Sequence, residues 1–306
     1  EYTYNILPSS LNNLPVITYN GRTMGISRWP NGLDGRAWLA INCGDDYEGT
    51  QKGSGDSPMI VSYSSEIPSS WEFSRAKGDI YMTGIWYFWY NYTMTKVNID
   101  IENKLITASD NGAFMDNAER KAQFWNVFEE IDVPGEWYID REARKMYIYP
   151  YDGSKNVDLK AASLSAILVK LDGADYITFD GIEFTGSKGI NNSSVLIYGD
   201  ANHNTLSNCK IYGNEGYGLY IASSADKDYA DGGNNKAEYC EIYDNGSCGA
   251  AIVAGNRYGD PPVNANNSIE NSSVHDNGKN FIGKTQIDLA GSGISIAGCD
   301  IYNGPY

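Results

Sequence analysis

The sequence predicts an all-β chain. Its second half reads as a solenoid of short strands, a right-handed parallel β-helix, and its first half as an aromatic-rich β region. Three observations carry this. A Cys-x-Ile-Tyr-turn phrase returns at near-regular intervals: CKIYGNEG from 209, CEIYDNGS from 240 and CDIYNGP from 299, with SSVHDNG from 272 as a fourth copy carrying Ser for Cys. No amphipathic helix pattern fits between the copies. Residues 78–110 and 136–150 read as β-branched and aromatic runs split by Gly, Asn and a charged turn.

Aligning Ile182, Cys209, Cys240, Ser272 and Cys299 gives spacings of 27, 31, 32 and 27 residues. Two residues on stand Phe184, Ile211, Ile242, Val274 and Ile301, and three residues before stand Phe179, Leu206, Ala237, Ile269 and Ile296. One short strand therefore returns five times with apolar or small inward positions, each time followed by a Gly/Asp/Asn turn. A second apolar strand follows, as in SVLIYG from 194, GLYIAS from 218, GAAIVAG from 249 and QIDLAG from 286. A single coil cannot bury its own apolar face, whereas stacked coils bury a continuous core. The right hand is the default for parallel crossovers. The Cys row then reads as packing, with Cys acting as a small apolar residue. Ser272 in the same row and the lack of any CxxC argue against a thiolate metal site.

The character of the chain changes near residue 160, which divides it into an aromatic-rich mixed β subdomain over 1–160 and β-helix coils over 161–306. In the first part, 136–150 reads as a hairpin stopped by Pro150. QFWNVFEEID from 123 reads either as a short helix or as an irregular crossing segment.

Composition narrows the function. The net charge of −16 over 306 residues disfavours nucleic acid and anionic membranes as partners. The longest apolar stretch, GIWYFWY from 84, is too short to span a bilayer. Five Cys leave at least one unpaired within the chain, and two His leave little room for His-based metal sites or triads. Tyr, at 24, and Trp, at 7, suit strands and sugar-facing surfaces.

Four stretches resemble a family of bacterial secreted right-handed β-helix proteins that includes glycoside hydrolase family 141-like enzymes. They are MGISRWPNG from 24, KGDIYMTGIWYFWYNYTMTKVNIDIENKLITAS from 77, FWNVFEEIDVPGEWYIDREARKMYIYP from 124, and GAAIVAGNRYGDPPVNANNSIENSSVHDNG from 249. The third is the most specific. The resemblance implies a secreted or cell-surface carbohydrate-active protein. It also implies a cap and first coil before the RWPN segment, where this sequence has about twenty residues, and further coils after IYNGPY that carry the catalytic acids. On that expectation the sequence stops in mid-coil, and no catalytic position transfers by motif.

Candidate residues come from the chemistry. Sugar hydrolysis needs two carboxyls, roughly 5–5.5 Å apart for a covalent intermediate and roughly 6.5–9.5 Å apart for direct attack by water. Asp244 and Asp276 occupy equivalent turn positions. Glu241 and Asp300 occupy equivalent outward positions two coils apart, with Ser273 between. Read plainly, these are turn formers and solvated surface acids. Arg257 sits in a loop where it can hold a carboxylate or a sugar hydroxyl, or pair with Asp260. Trp86 and Trp89, in the run 86–90, are candidates for stacking on sugar, although most of those rings suit the core. Asp226, Asp228 and Asp231 in ADKDYADGGNN give a D-x-D-x-x-D loop, and such a loop can supply several of the oxygens calcium needs. No other cofactor is implied.

Three functions follow: a glycoside hydrolase-like enzyme acting on a polysaccharide, a non-enzymatic glycan-binding or surface β-helix whose open end stacks on another copy, and a polysaccharide lyase. Hydrolysis releases reducing ends, and elimination leaves an unsaturated, ultraviolet-absorbing sugar.

Overall fold

The computed structural model describes residues 2–5, 14–32, 38–54, 57–87, 91–108, 118–153, 157–162, 166–189, 192–222, 233–254, 264–279 and 284–304. The chain forms two compact units, residues 1–11 with 24–157, and residues 12–23 with 158–306. Residues 12–23, which composition groups with the first half, belong to the second unit. Val16–Tyr19 pairs there with Leu159–Ala162 and with Arg22–Thr23.

The first unit is built on a closed antiparallel ring of six strands. Leu105–Ala108, Asn91–Asp100, Ile80–Tyr87, Ala118–Trp125, Leu39–Cys43 and Ser57–Tyr63 pair in turn, and Ser57–Tyr63 pairs back to Leu105–Ala108. Closure removes the free edges that an open sheet would expose. Alternation along each strand sends Leu39, Ile41 and Cys43, Met59, Val61 and Tyr63, and Ile80 and Met82 into one core with Trp71 and Phe124. A second, four-stranded sheet runs Tyr2–Asn5, Lys145–Ile148, Glu136–Asp140, Gly25–Ile26. Its central hairpin is the one expected from 136–150.

The stretch QFWNVFEEID is neither a helix nor irregular throughout. Ala118–Trp125 is a strand, and Phe128–Glu130 a single 3₁₀ turn. Its acids brace the fold. Glu129 Oε1 accepts the Phe73 and Ser74 backbone N–H groups (3.0 and 3.3 Å), which caps the short helix Glu72–Lys77. Glu130 accepts the Trp71 indole N–H at 2.6 Å. Glu136 accepts the N–H groups of Asp132 and Val133, both at 3.1 Å. The segment most specific to the resembled family thus commits Glu129, Glu130 and Glu136 to backbone and indole donors.

In the second unit three parallel five-stranded sheets stack into a solenoid. The first sheet holds Val169–Asp172, Ser193–Tyr198, Tyr217–Ala222, Ala250–Val253 and Ile287–Ala290. The second holds Thr178–Asp180, Thr205–Ser207, Lys236–Glu238, Asn264–Glu270 and Ser292–Ala297, and the third Glu183–Thr185, Lys210–Tyr212, Glu241–Tyr243, Ser273–His275 and Asp300–Tyr302. The register is the one the repeat alignment requires. Phe179, Leu206, Ala237, Ile269 and Ile296 pair in one row, and Phe184, Ile211, Ile242, Val274 and Ile301 in another.

The single strand expected around each Cys is in fact two strands meeting at a corner. Gly181, Asn208, Tyr239, Asn271 and Gly298 occupy that corner with positive φ, between 47° and 68°. This left-handed conformation turns the chain within about two residues, so inward positions five apart can share one core. Cys209 and Cys240 are buried and free, their Sγ atoms directed at backbone carbonyls (3.2–3.5 Å). Burial pushes the Cys240 thiol up to about 12. Ile182 departs from the inward row, since it is exposed.

Two rows of asparagine run along the solenoid. Asn204, Asn235 and Asn267 form one, and Asn214, Asn245 and Asn277 the other, all fully or nearly fully buried. Each side-chain amide donates to the next carbonyl: Asn214 to Asn245 and Asn245 to Asn277 at 2.8 Å, Asn204 to Asn235 at 3.0 Å, Asn235 to Asn267 at 3.2 Å. The same side-chain carbonyls accept backbone N–H groups of the preceding coil, as Asn277 does from Asn245 N at 3.1 Å. The members of the two rows stand ten residues apart in every coil: 204 and 214, 235 and 245, 267 and 277. The repeated DNG turns are therefore more than solvated turns, because their Asn is a core element.

Candidate functional site

The outward face of the third sheet gathers the candidate carboxylates of the solenoid. Strand alternation sends Ile211, Ile242 and Val274 inward and their neighbours outward. One outward row is Glu183, Lys210, Glu241, Ser273 and Asp300, and the other is Thr185, Tyr212, Tyr243, His275 and Tyr302. In the second row the rings stack almost parallel, with centroids 5.0, 5.4 and 4.6 Å apart from Tyr212 to Tyr302. The rings cover one another's faces, so edges and hydroxyls point outward. Tyr212 uses its hydroxyl to donate to Glu183 at 3.1 Å.

Immediately after this row the chain turns through Asp244, Asp276 and Asn303, each with positive φ of 52° to 54°. Asn and Asp tolerate that region best after Gly, which is why they recur here. The turn brings Asp276 Oδ2 to 2.8 Å from His275 Nδ1, while Glu241 Oε1 lies 3.8 Å from His275 Nε2. Lys279 lies 3.0 Å from Asp244 and 4.0 Å from Asp276, and Lys210 lies 3.3 Å from Glu241. Glu241 and Asp276 are both more than one-third exposed, at 42% and 36%.

The electrostatics separate the groups. Burial works against the charged form of Asp276. The His275 hydrogen bond, Lys279 and Asn303 outweigh it and hold the carboxyl below its ordinary range. Burial, reinforced by Glu241, pushes the Tyr243 phenol well above its ordinary range, and Tyr212 is raised by burial and by Glu183. Both phenols stay neutral donors at any working pH.

Of the sequence candidates, Glu241 and Asp276 meet around one imidazole. Asp244 is tied to Lys279 beside them. Asp300 sits in the Glu241 row, next to Ser273 and two rungs away. Arg257, Trp89, Asp226, Asp228 and Asp231 lie outside the described residues. Trp86 lies in the strand Ile80–Tyr87, with its side chain outside them as well. Among the described residues no group of three His, Cys, Asp or Glu is placed to hold a metal ion. His275 was not among the sequence candidates. The signal was present in Asp276, next in sequence, and in Glu241 one coil back, which pairs with Ser273 and so lies diagonally from His275.

A family description, right handed beta helix region, matches residues 148–304, just over half of the chain. The chain belongs to that family. A solved protein named glycoside hydrolase shares the β-helix fold, with a TM-score of 0.51 at 12% sequence identity over 94% of this chain and 68% of that one. Comparison with curated proteins gives no match.

Proposed function

We propose that this β-helix protein is carbohydrate-active and that it hydrolyses a polysaccharide in the manner of a glycoside hydrolase, with Glu241 and Asp276 as its carboxyl pair. The observation that carries this reading is the placement of two partly exposed carboxylates on either side of His275, beside an outward sheet face lined with phenol edges. The fold shared with a protein named glycoside hydrolase supports it. A solenoid face is long and offers a run of hydrogen-bonding side chains to an extended sugar chain. Asp276, held ionised, serves as the base that takes a proton from water. Glu241 gives a proton to the leaving oxygen as the bond from the anomeric carbon to that oxygen breaks and the bond to water forms.

Reducing-end release from a panel of neutral and acidic polysaccharides tests this with the whole natural protein. Release that falls at least about a hundredfold in Glu241→Gln and Asp276→Asn supports it. Absence of reducing ends across the panel, or an ultraviolet-absorbing unsaturated product, overturns it.

A further inference from the structure

We infer that His275 is a positioning residue for this reaction, fixing Asp276 by a hydrogen bond at one ring edge while Glu241 lies beside the other, so that the two carboxyls keep the separation hydrolysis needs. This rests on the reading just given. The ring has no freedom to turn. Tyr243 stacks on one face at 5.4 Å and Tyr302 on the other at 4.6 Å, both within 6° of parallel. Its side chain is only 13% exposed. With the faces clamped, Nδ1 meets Asp276 at 2.8 Å and Nε2 faces Glu241 at 3.8 Å.

A carboxylate one ring edge away on each side is spaced by the imidazole and two polar contacts. That span matches the roughly 6.5–9.5 Å of direct water attack better than the roughly 5–5.5 Å of a covalent intermediate. The ring and Glu241 belong to the solenoid's strand ladder, and Asp276 follows in the turn that closes the same strand. The other charged groups around the pair are Lys210 beside Glu241, Lys279 with Asp244 and Asp276, and Asp300 on the following strand, with Asn303 3.4 Å from Asp276.

The test uses the whole chain with His275→Phe, which keeps a ring in the stack and removes both nitrogens, and His275→Gln, which retains one donor. Three quantities are read: kinetics on a polysaccharide that the wild type cleaves, the pH profile, and the titration of the Asp276 carboxyl by carbon-13 NMR. The expected result for His275→Phe is a kcat at least tenfold lower with KM within about twofold, an acid limb moved to higher pH, and an Asp276 midpoint moved the same way, because Asp276 loses its hydrogen bond. His275→Gln should fall between, and it carries the test if the Phe variant does not fold. A folded variant with kcat within about twofold of wild type and unmoved limbs overturns the positioning role while leaving the hydrolase reading intact. A wild type that releases no reducing ends overturns both.

Discussion

Replacing Asn245 with Ala should open the solenoid where three successive coils are tied together. The amide of Asn245 donates to Asn277 Oδ1 at 2.8 Å and to Ile211 O at 3.1 Å, and its carbonyl accepts from Asn214 at 2.8 Å. Asn245 is fully buried, so water cannot replace these partners. Two of the bereft groups keep another bond: Asn277 Oδ1 from Asn245 N, and Asn214 Nδ2 to Phe184 O at 3.4 Å. Three buried hydrogen bonds at roughly 1 kcal/mol net each, with part of the desolvation left uncompensated, put the loss at about 2–4 kcal/mol. Hydrogen exchange resolved over residues 205–254 is the assay. All seven Trp residues lie between 29 and 137, so tryptophan fluorescence reports on the first unit instead. Protection there should fall on the order of a hundredfold, following the loss in stability. Asn266→Gly is the control, since that exposed side chain makes one bond to Asn234 and its φ of 49° suits Gly; its cost should stay within about 0.5 kcal/mol. Equal protection in Asn245→Ala and wild type would refute the argument that the ladder stabilises the coils.

Gly249→Ala should destabilise the second unit by roughly 1–3 kcal/mol, because a Cβ there would meet the Asn277 amide and Gln286 O; hydrogen exchange resolved over residues 236–254 checks it. Cys240 should resist iodoacetamide at pH 8 in the folded protein and react once the protein is unfolded in urea, as read by peptide mass. Burial pushes Glu136 up to about 7, so the folded state holds a proton that the unfolded state releases. Its contribution is therefore present at low pH and lost as pH rises through about 4.5 to 7, and Glu136→Gln should flatten that fall in the denaturation midpoint of tryptophan fluorescence. Hydrolysis through Glu241 and Asp276 should invert the anomeric configuration, and proton NMR of the first product within minutes of mixing distinguishes inversion from retention.

The solenoid was legible because each coil repeats the same inward residues at the same offsets. The corner between the second and third sheets was also written in the sequence, although less openly. Phe179 and Phe184 are both inward and five apart, and so are Leu206 and Ile211. A strand alternates with period two, so an odd spacing requires a break between them. The turn residue there varies from Gly to Asn to Tyr239, which hides the break from composition. The asparagine rows were not legible: Asn beside Gly, as at 245 and 277, is the usual mark of an exposed turn, and only the stacking of coils shows that these side chains face one another. The six-stranded ring was not legible at all. Its pairing joins segments as distant as 39–43 and 118–125, and closure depends on contacts that no local pattern encodes.

The constant ten-residue interval between the two asparagine rows acts as a fixed ruler inside a repeat of variable length. Asn204 to Asn235 spans 31 positions and Asn235 to Asn267 spans 32, and Asn214, Asn245 and Asn277 show the same pair of increments. The variation therefore falls wholly on the other arc of each turn, the arc that contains the first sheet and the segments leaving it. A lineage of such chains can lengthen, shorten or replace those segments one turn at a time without disturbing the rungs above or below. Within this chain the change in repeat length sits on that arc, and the arc between the two rows keeps count.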